Sequence, residues 1–187
     1  QLSLQVIREN MLKNHGYYKV TEDGVEQCLI SCDDGVYRFT PPESEEQDWT
    51  VEKLVDEAAS DAVLVDLDQD GEKELILISP FHGEHIYFYK KIDGDYKKVY
   101  TYDTADFAHA IYGGTLLGKP AVIIGHRKGE RNLLLFTWEQ EKGQYQVEIL
   151  DRDCGPANVF KYERGTEEVL ISTNREIDEV AMYTFEK

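Results

Sequence analysis

A pattern of short β-rich runs separated by Gly, Asp and Asn turns recurs four times along this 187-residue chain, and it limits the possible fold more than any other feature. The first unit opens at His15-Gly16-Tyr17-Tyr18 and continues with runs at 25–31, 35–39 and 49–54. The second opens near Asp61 and continues at 74–78, 85–89 and 96–102. The third opens at His109, with later runs at 120–124, 132–138 and 145–150. The fourth opens at Asn158, with runs at 168–172 and 180–185. With His15, Asp61, His109 and Asn158 as equivalent starts, the spacings are 46, 48 and 49 residues. Four short strands per unit at such a period is the signature of a β-propeller blade. The expected fold is all-β: one propeller domain over residues 1–187 with four four-stranded blades, at roughly 9–57, 58–104, 105–152, and 153–187 together with 1–8.

The assignment of residues 1–8 to the last blade follows from a missing strand. The fourth unit has no outer run at its C-terminal end, whereas Leu2-Ser3-Leu4-Gln5-Val6-Ile7 stands spare at the N-terminus. It matches Tyr145-Gln146-Val147-Glu148-Ile149-Leu150, which ends the third unit. Pairing of residues 2–7 beside 180–185 would close the ring and remove an exposed sheet edge. The alternative is that the four blades are part of a larger, seven- or eight-bladed ring.

The sharpest motif lies between the apolar runs Ala62-Val63-Leu64-Val65 and Leu75-Ile76-Leu77-Ile78. In Asp66-Leu67-Asp68-Gln69-Asp70-Gly71-Glu72-Lys73-Glu74, side-chain oxygens fall at relative positions 1, 3, 5 and 9, with Gly at 6. Ca²⁺ takes six to eight oxygen ligands, and the Gly permits the sharp turn around the ion. The expected ligands are Asp66, Asp68, Asp70 and Glu74, with the backbone carbonyl of Glu72. The flanks are strands, which excludes a helix-loop-helix hand. A strand-loop-strand of this kind resembles the FG-GAP/VCBS-repeat family of propellers, which includes integrin α-subunit headpieces and several lectins and carbohydrate-active proteins. Only the second unit carries the full motif; Thr21-Glu22-Asp23-Gly24, Gly113-Gly114-Thr115-Leu116-Leu117-Gly118 and Glu163-Arg164-Gly165-Thr166 keep turns without the carboxylate set. The resemblance implies a structural calcium ion and, since family functions are diverse, no particular activity.

Net charge is −17, which excludes nucleic acid and anionic membrane surfaces as expected partners and leaves a small polar ligand or a protein. No apolar run approaches the roughly 18 residues of a membrane span. Cys28 and Cys32 fall on one face of one strand, about 13 Å apart, too far to bridge. With Cys154 alone, the three cysteines read as reduced thiols. Together with the absence of a visible signal segment, that points to a cytoplasmic location.

Propeller topology sorts loops onto two faces. The calcium-type loop joins first and second strands. The connections between blades and the loops between second and third strands lie on the opposite face, and all five histidines belong to that set. His15, His82, His109, His126, Arg127, Asn158 and Asn174 are the candidate ligand-binding residues. They surround the funnel where the inner strands converge. Imidazole, amide and guanidinium supply donors and acceptors for a small polar ligand such as a sugar, and Phe81, Phe107 or Tyr112 supplies an apolar surface. In an alternative reading His15, His109 and His126 hold a transition metal in a carbohydrate lyase or isomerase. In a third, the same side chains cap strand ends in an interaction scaffold. His85, which alternates with Tyr87 and Tyr89, reads as a cross-strand partner.

Overall fold

A computed structural model describes residues 2–186. It contains fifteen strands and one short 3₁₀ turn among these residues. The first sheet is β1 (Tyr17–Glu22), β2 (Val25–Cys32), β3 (Gly35–Thr40) and β4 (Thr50–Val55). The second is β5 (Asp61–Val65), β6 (Glu74–Ile78), β7 (Ile86–Ile92) and β8 (Asp95–Tyr102). The third is β9 (Ala108–Leu116), β10 (Lys119–His126), β11 (Leu133–Glu139) and β12 (Gln144–Asp151). The fourth is β13 (Pro156–Arg164), β14 (Glu167–Asn174) and β15 (Glu179–Glu186). Each is an antiparallel meander in sequence order, and the four sheets are arranged as the four blades of a β-propeller.

Local sequence sets the hairpins. Asp23-Gly24, Asp93-Gly94 and Leu117-Gly118 each hold both residues at positive φ (51° and 79°, 55° and 90°, 51° and 73°). That is the geometry of a type I′ turn, whose twist matches the strands it joins. The glycine supplies the second positive φ without steric cost.

Packing explains the sequence pattern of the inner strands. Val63 and Val65 face one way and pack with Ile76, Ile78, Ile86 and Phe88 against Val122, Ile124, Leu134 and Phe136 of blade three. Ala62 and Leu64 face the other way and join Leu75 and Leu77 against Val20, Leu29, Val36 and Val55 of blade one. A sheet covered on both faces has no solvent side, so β5 and β6 read as unbroken apolar runs rather than alternating ones. A third cluster joins Ile123, Leu133 and Leu135 of blade three to Leu170 of blade four, with Val159, Tyr183 and Phe185 at its edge.

Packing therefore runs from β1 to β5, from β5 to β9 and from β9 to β13. No comparable packing among the described residues returns from β13 to β1. Tyr17 on β1 and Phe160 on β13 are each 65% exposed, although both lie on innermost strands. The four blades form an arc with a gap between the last and the first.

The expected closure by residues 2–7 is not what the structure contains. These residues form no strand, and the fourth sheet has three strands. The N-terminal segment is instead tied to blade one. Asp33 N–H donates to the Leu12 carbonyl at 3.0 Å. Met11 packs with Cys32, Tyr37 and Phe39, and the Arg8 guanidinium lies 4.5 Å from the centre of the Tyr37 ring. These anchors hold the segment on the blade-one side of the gap, away from β15. No helix of the described residues is long and apolar enough to cross a membrane, and the three cysteines are free.

A close approach between blades two and three depends on a missing side chain. A Cβ at Gly113 of β9 would stand 2.8 Å from both Val63 Cβ and Val65 Cγ2, and the Gly113 carbonyl accepts the hydroxyl of Tyr18 from blade one. Gly113→Ala is expected to destabilise the fold by roughly 1–3 kcal/mol, read from the urea midpoint, because a well-packed core resists added volume. An unchanged midpoint would mean that β5 and β9 are not held this closely.

Candidate functional site

Three histidines from separate chain segments meet where the inner strands converge. His15 precedes β1, His82 lies in the β6–β7 loop, and His109 is the second residue of β9. One ring nitrogen from each falls within 4.8 Å of the others. His15 and His82 have ring centroids 4.9 Å apart, and His15 and His109 6.0 Å. His82 stacks on His109 at 4.7 Å and 16°. Phe81 and Phe107 flank the His82 ring at 4.6 and 4.9 Å.

The orientations have identifiable causes. His15 Nδ1 lies 3.0 Å from the Ser60 carbonyl, and His109 Nδ1 lies 2.6 Å from the Ala157 carbonyl. A carbonyl only accepts, so both Nδ1 atoms carry the proton and both Nε2 atoms keep a lone pair. The first bond ties blade one to the connection leading into blade two, and the second ties blade three to β13 of blade four. His82 is placed by its backbone. Gly83 N–H donates to the Ser79 carbonyl at 3.0 Å, and Ala108 N–H donates to the Gly83 carbonyl at 3.2 Å. His82 itself sits at φ 54° and Phe107 at φ 59°, a region that non-glycine residues seldom adopt and that tends to mark functional loops. His82 Nδ1 is buried without a hydrogen-bond partner.

Two of the three rings, His82 and His109, are shifted toward the neutral form. Burial pushes the His82 pKa down to about 4, with His109, His15 and Arg127 adding to the effect. His109 is lowered by burial and by Arg127, against the opposing influence of its bond to Ala157. At the same end of the barrel Asp61 begins β5, and burial raises its carboxyl to about 7, opposed only by the Ala62 N–H that it accepts at 2.9 Å. Asp61 occupies the position equivalent to His15 and His109, yet the sequence reading did not assign it to the site. The repeat alignment was the signal that could have done so.

The remaining candidate residues are placed differently. His126 is buried, donates from Nδ1 to the Lys128 carbonyl at 2.9 Å, and accepts the Asn132 N–H on Nε2 at 3.1 Å. Both nitrogens are occupied in its own loop, so His82 stands with His15 and His109 where His126 was expected. Arg127 donates to Glu176 at 2.8 Å and lies 4.9 Å from the centre of the Phe107 ring, at the edge of the cluster. Asn174 is fully buried; its Oδ1 accepts from Ser172 and its Nδ2 donates to Glu179 and Tyr183. Asn158 is exposed, with its N–H on Thr173 Oγ1 at 3.0 Å. Tyr112 donates to the Thr115 carbonyl, away from the histidines. His85 stacks on Tyr87, with Nδ1 3.2 Å from Asp103, in keeping with a cross-strand role.

The acidic loop lies on the other face. Lys73 Nζ reaches the Thr21 carbonyl at 3.1 Å and Gln140 Nε2 the Asp68 carbonyl at 2.6 Å. First-to-second and third-to-fourth strand loops thus share that face, as the meander requires. Asp66 accepts the N–H groups of Asp70 and Gly71, both at 3.1 Å. Asp70 accepts that of Glu72 at 2.9 Å, with the turn passing through Gln69 at φ 60° and Gly71 at φ 96°. Glu74 is buried, accepts from Leu67 N–H at 2.8 Å, and has its carboxyl raised to about 7 chiefly by burial. Carboxylate oxygens of Asp66, Asp68 and Glu74 lie within 4.8 Å of one another, which suits a hard cation. Asp70 is turned instead to Lys90, whose ammonium bonds Asp70 at 2.7 Å and also bonds Asp68. The sequence reading missed Lys90, which sits on the third strand of the blade with no motif to mark it.

The depressed histidines have a consequence for acid stability. A group whose folded pKa lies below its unfolded value contributes stability that is present above the unfolded pKa and lost as pH falls through the folded one. For His82 that window runs from about 6.5 down to about 4. Asp61 and Glu74, raised to about 7, act in the opposite direction, so the effect is isolated by comparison with a variant. The stability of the parent protein relative to His82→Gln, measured by urea unfolding, is expected to fall by roughly 1–2 kcal/mol between pH 7 and pH 4, less than the full shift would give because the half-buried ring is partly screened by solvent. A pH-independent difference would place the imidazole in solvent.

No protein-family model matches the chain, and no curated protein matches it. Among solved structures it is similar to the 1.50 Å crystal structure of a Bacteroides fragilis NCTC 9343 protein assigned as a 6-phosphogluconolactonase. The TM-score is 0.59 at 17% sequence identity, over 93% of this chain and 50% of the other. The chain thus spans about half the length of the structure it matches, and at this identity the likeness is one of fold.

Proposed function

We propose that the protein is a ligand-binding propeller module whose site is the histidine funnel. There His15, His82 and His109 hold a divalent transition metal, and the metal presents open positions to a small polar ligand. The observation that carries this reading is the convergence of the three ring nitrogens within 4.8 Å, two of the rings having Nδ1–H fixed by backbone carbonyls. Backbone bonds of this kind are the usual second shell of a metal-binding imidazole, since they set the tautomer and aim Nε2. Three imidazoles suit Zn²⁺, Cu²⁺ or Ni²⁺, and three protein ligands leave a coordination position free. Burial disfavours the proton on His82 and His109, which lowers the competition between proton and metal at those two rings. Asp61 supplies a carboxyl near its midpoint at neutral pH at the same end of the barrel. The structural neighbour is named for a sugar-derived substrate, and a sugar or sugar acid is the ligand class proposed here.

Calorimetric titration with Zn²⁺ or Ni²⁺ is expected to give one site per chain. That site should be lost in His82→Ala and His109→Ala and kept in His85→Ala, whose ring lies outside the cluster. No binding, or binding indifferent to His82 and His109, sinks the proposal.

On the opposite face we propose a structural calcium ion at Asp66, Asp68 and Glu74, as the resemblance to FG-GAP/VCBS repeats implies. Lys90 acts there as the built-in counter-charge in the absence of the ion. Removing it leaves Asp68 and Asp70 without their cation. In chelator, Lys90→Met is expected to lose roughly 1–2 kcal/mol of stability, less than for a fully buried pair because Lys90 and Asp70 are partly exposed. Millimolar calcium should then raise the melting temperature of Lys90→Met more than that of the parent. Equal calcium responses would indicate that Lys90 and calcium do not share the loop.

A further inference from the structure

Three cations border the histidine cluster on the side of blades three and four, in a chain whose net charge is −17. Arg127 and Lys128 lie in the β10–β11 loop, and Arg175 begins the short turn between β14 and β15. Backbone bonds fix all three beside segments that build the cluster. Arg127 N–H donates to the Phe107 carbonyl at 3.1 Å and Lys128 N–H to the Asp106 carbonyl at 3.0 Å, on the approach to His109. Arg175 N–H donates to the Gly155 carbonyl at 3.1 Å, close in the chain to the Ala157 carbonyl that holds His109. The Arg127 guanidinium carbon and Lys128 Nζ each lie 4.9 Å from the centre of the Phe107 ring, and that ring stands 4.9 Å from His82. Acidic compensation is incomplete. Oε1 of Glu176 accepts from Nε and Nη2 of Arg127, both at 2.8 Å, and from Nη1 of Arg175 at 3.2 Å, so one carboxylate serves two guanidiniums. The Lys128 ammonium rests on the Phe107 ring and forms no ion pair among the described residues. Asp106 and Glu130 favour a proton on His126, whereas Arg127 disfavours one on His82 and His109, and Arg175 on His109.

We infer that the ligand of the funnel is an anion: a polyol whose carboxylate or phosphate group binds between the metal and the arc formed by Arg127, Lys128 and Arg175. The inference rests on the metal reading of the funnel given above and narrows its ligand to one charge class. Three imidazoles without a proton leave the double charge of a divalent metal uncompensated, and the cations beside it add to that charge. A neutral polyol relieves none of this, whereas an oxyanion relieves all of it at one point. Guanidinium presents its donors in a planar fork that matches carboxylate and phosphate oxygens. Stacking on Phe107 holds Arg127 and Lys128 in place by ring contact, which positions their charge without cancelling it. Glu176 aligns both guanidiniums and leaves Nη1 of Arg127 without a partner among the described residues. The same cations act in opposite senses on the two occupants of the site: they weaken the metal and strengthen the anion.

Calorimetry on the full chain loaded with one equivalent of Ni²⁺ tests this, with gluconate and sorbitol 6-phosphate as the carboxylate and phosphate probes and sorbitol as their neutral counterpart. At least one of the two anions is expected to bind about tenfold or more tightly than sorbitol, and the tighter of them identifies the oxyanion. Lys128→Gln and Arg175→Gln change exposed side chains, so the fold should be retained in both. Each is expected to weaken binding of that anion by about three- to tenfold, to leave sorbitol unaffected, and to leave Ni²⁺ bound as tightly as in the parent or more tightly. Damage to the fold would weaken metal and anion together, so the opposite signs separate the two causes. If Ni²⁺ binds but the three probes bind alike, or the preferred anion is indifferent to both substitutions, the anion inference is overturned and the metal reading stands. A parent protein that takes up no Ni²⁺ overturns the metal reading, and the anion inference with it.

Discussion

Sheet faces covered on both sides are the constraint from which the rest of the structure follows. An antiparallel sheet with one wet face needs only every second residue to be apolar. Blade two has no wet face near the axis, so Ala62 to Val65 and Leu75 to Ile78 are apolar without interruption, and the largest core lies between blades two and three. Gly113 lets β9 approach the Val63 and Val65 side chains directly. The last strand of blade four, β15, returns toward alternation because its blade has a neighbour on one side only. Convergence of the inner strands is a by-product of this stacking, and it delivers His15 and His109 to one place although 94 residues separate them.

The two ends of the barrel differ in the kind of charge they manage. On the acidic-loop face, hard carboxylate oxygens are gathered and then partly neutralised from within, by Lys90 on Asp68 and Asp70 and by burial that favours the protonated form of Glu74. On the funnel face, imidazoles are gathered, and burial disfavours the proton on His82 and His109, with Arg127 nearby but committed to Glu176. A net charge of −17 therefore says little about either site; local desolvation and local partners decide their protonation.

Much of this was legible in the sequence. The repeat period, the glycine turns and the sorting of loops onto two faces follow from strand alternation and meander topology, and those two rules also bring His15 and His109 together. The choice between His82 and His126 was not legible. Both occupy loops between second and third strands, and what separates them is backbone conformation. His82 is turned inward by φ 54°, whereas His126 is caught by the Lys128 carbonyl and the Asn132 N–H. Backbone carbonyls such as those of Ser60 and Ala157 leave no side-chain signal. Residues 2–7 have the pattern of an outer strand, but pattern alone does not say which edge, or whose, such a strand joins. Met11 and Arg8, which moor the segment to blade one, lie outside the strand-like run.

The stacked histidines place a physical condition on the funnel. A tetrahedral metal with bonds of about 2.0–2.1 Å draws its ligand nitrogens to about 3.3 Å from one another, closer than the 4.8 Å that bounds the three nitrogens here. Near-parallel rings at 16° aim their in-plane lone pairs along parallel lines, so coordination requires one ring to turn. His15 and His109 are each fixed by a carbonyl, and turning either would forfeit that bond. His82 has no partner on Nδ1, and its ring is otherwise held by the Ala108 backbone and by ring contacts with Phe81 and Phe107. The ring with least to lose by rotating is therefore the one whose backbone is already held in an unfavourable conformation. In the proposed metal site His82 would therefore be the ring that moves, while His15 and His109 would stay where their backbone carbonyls hold them.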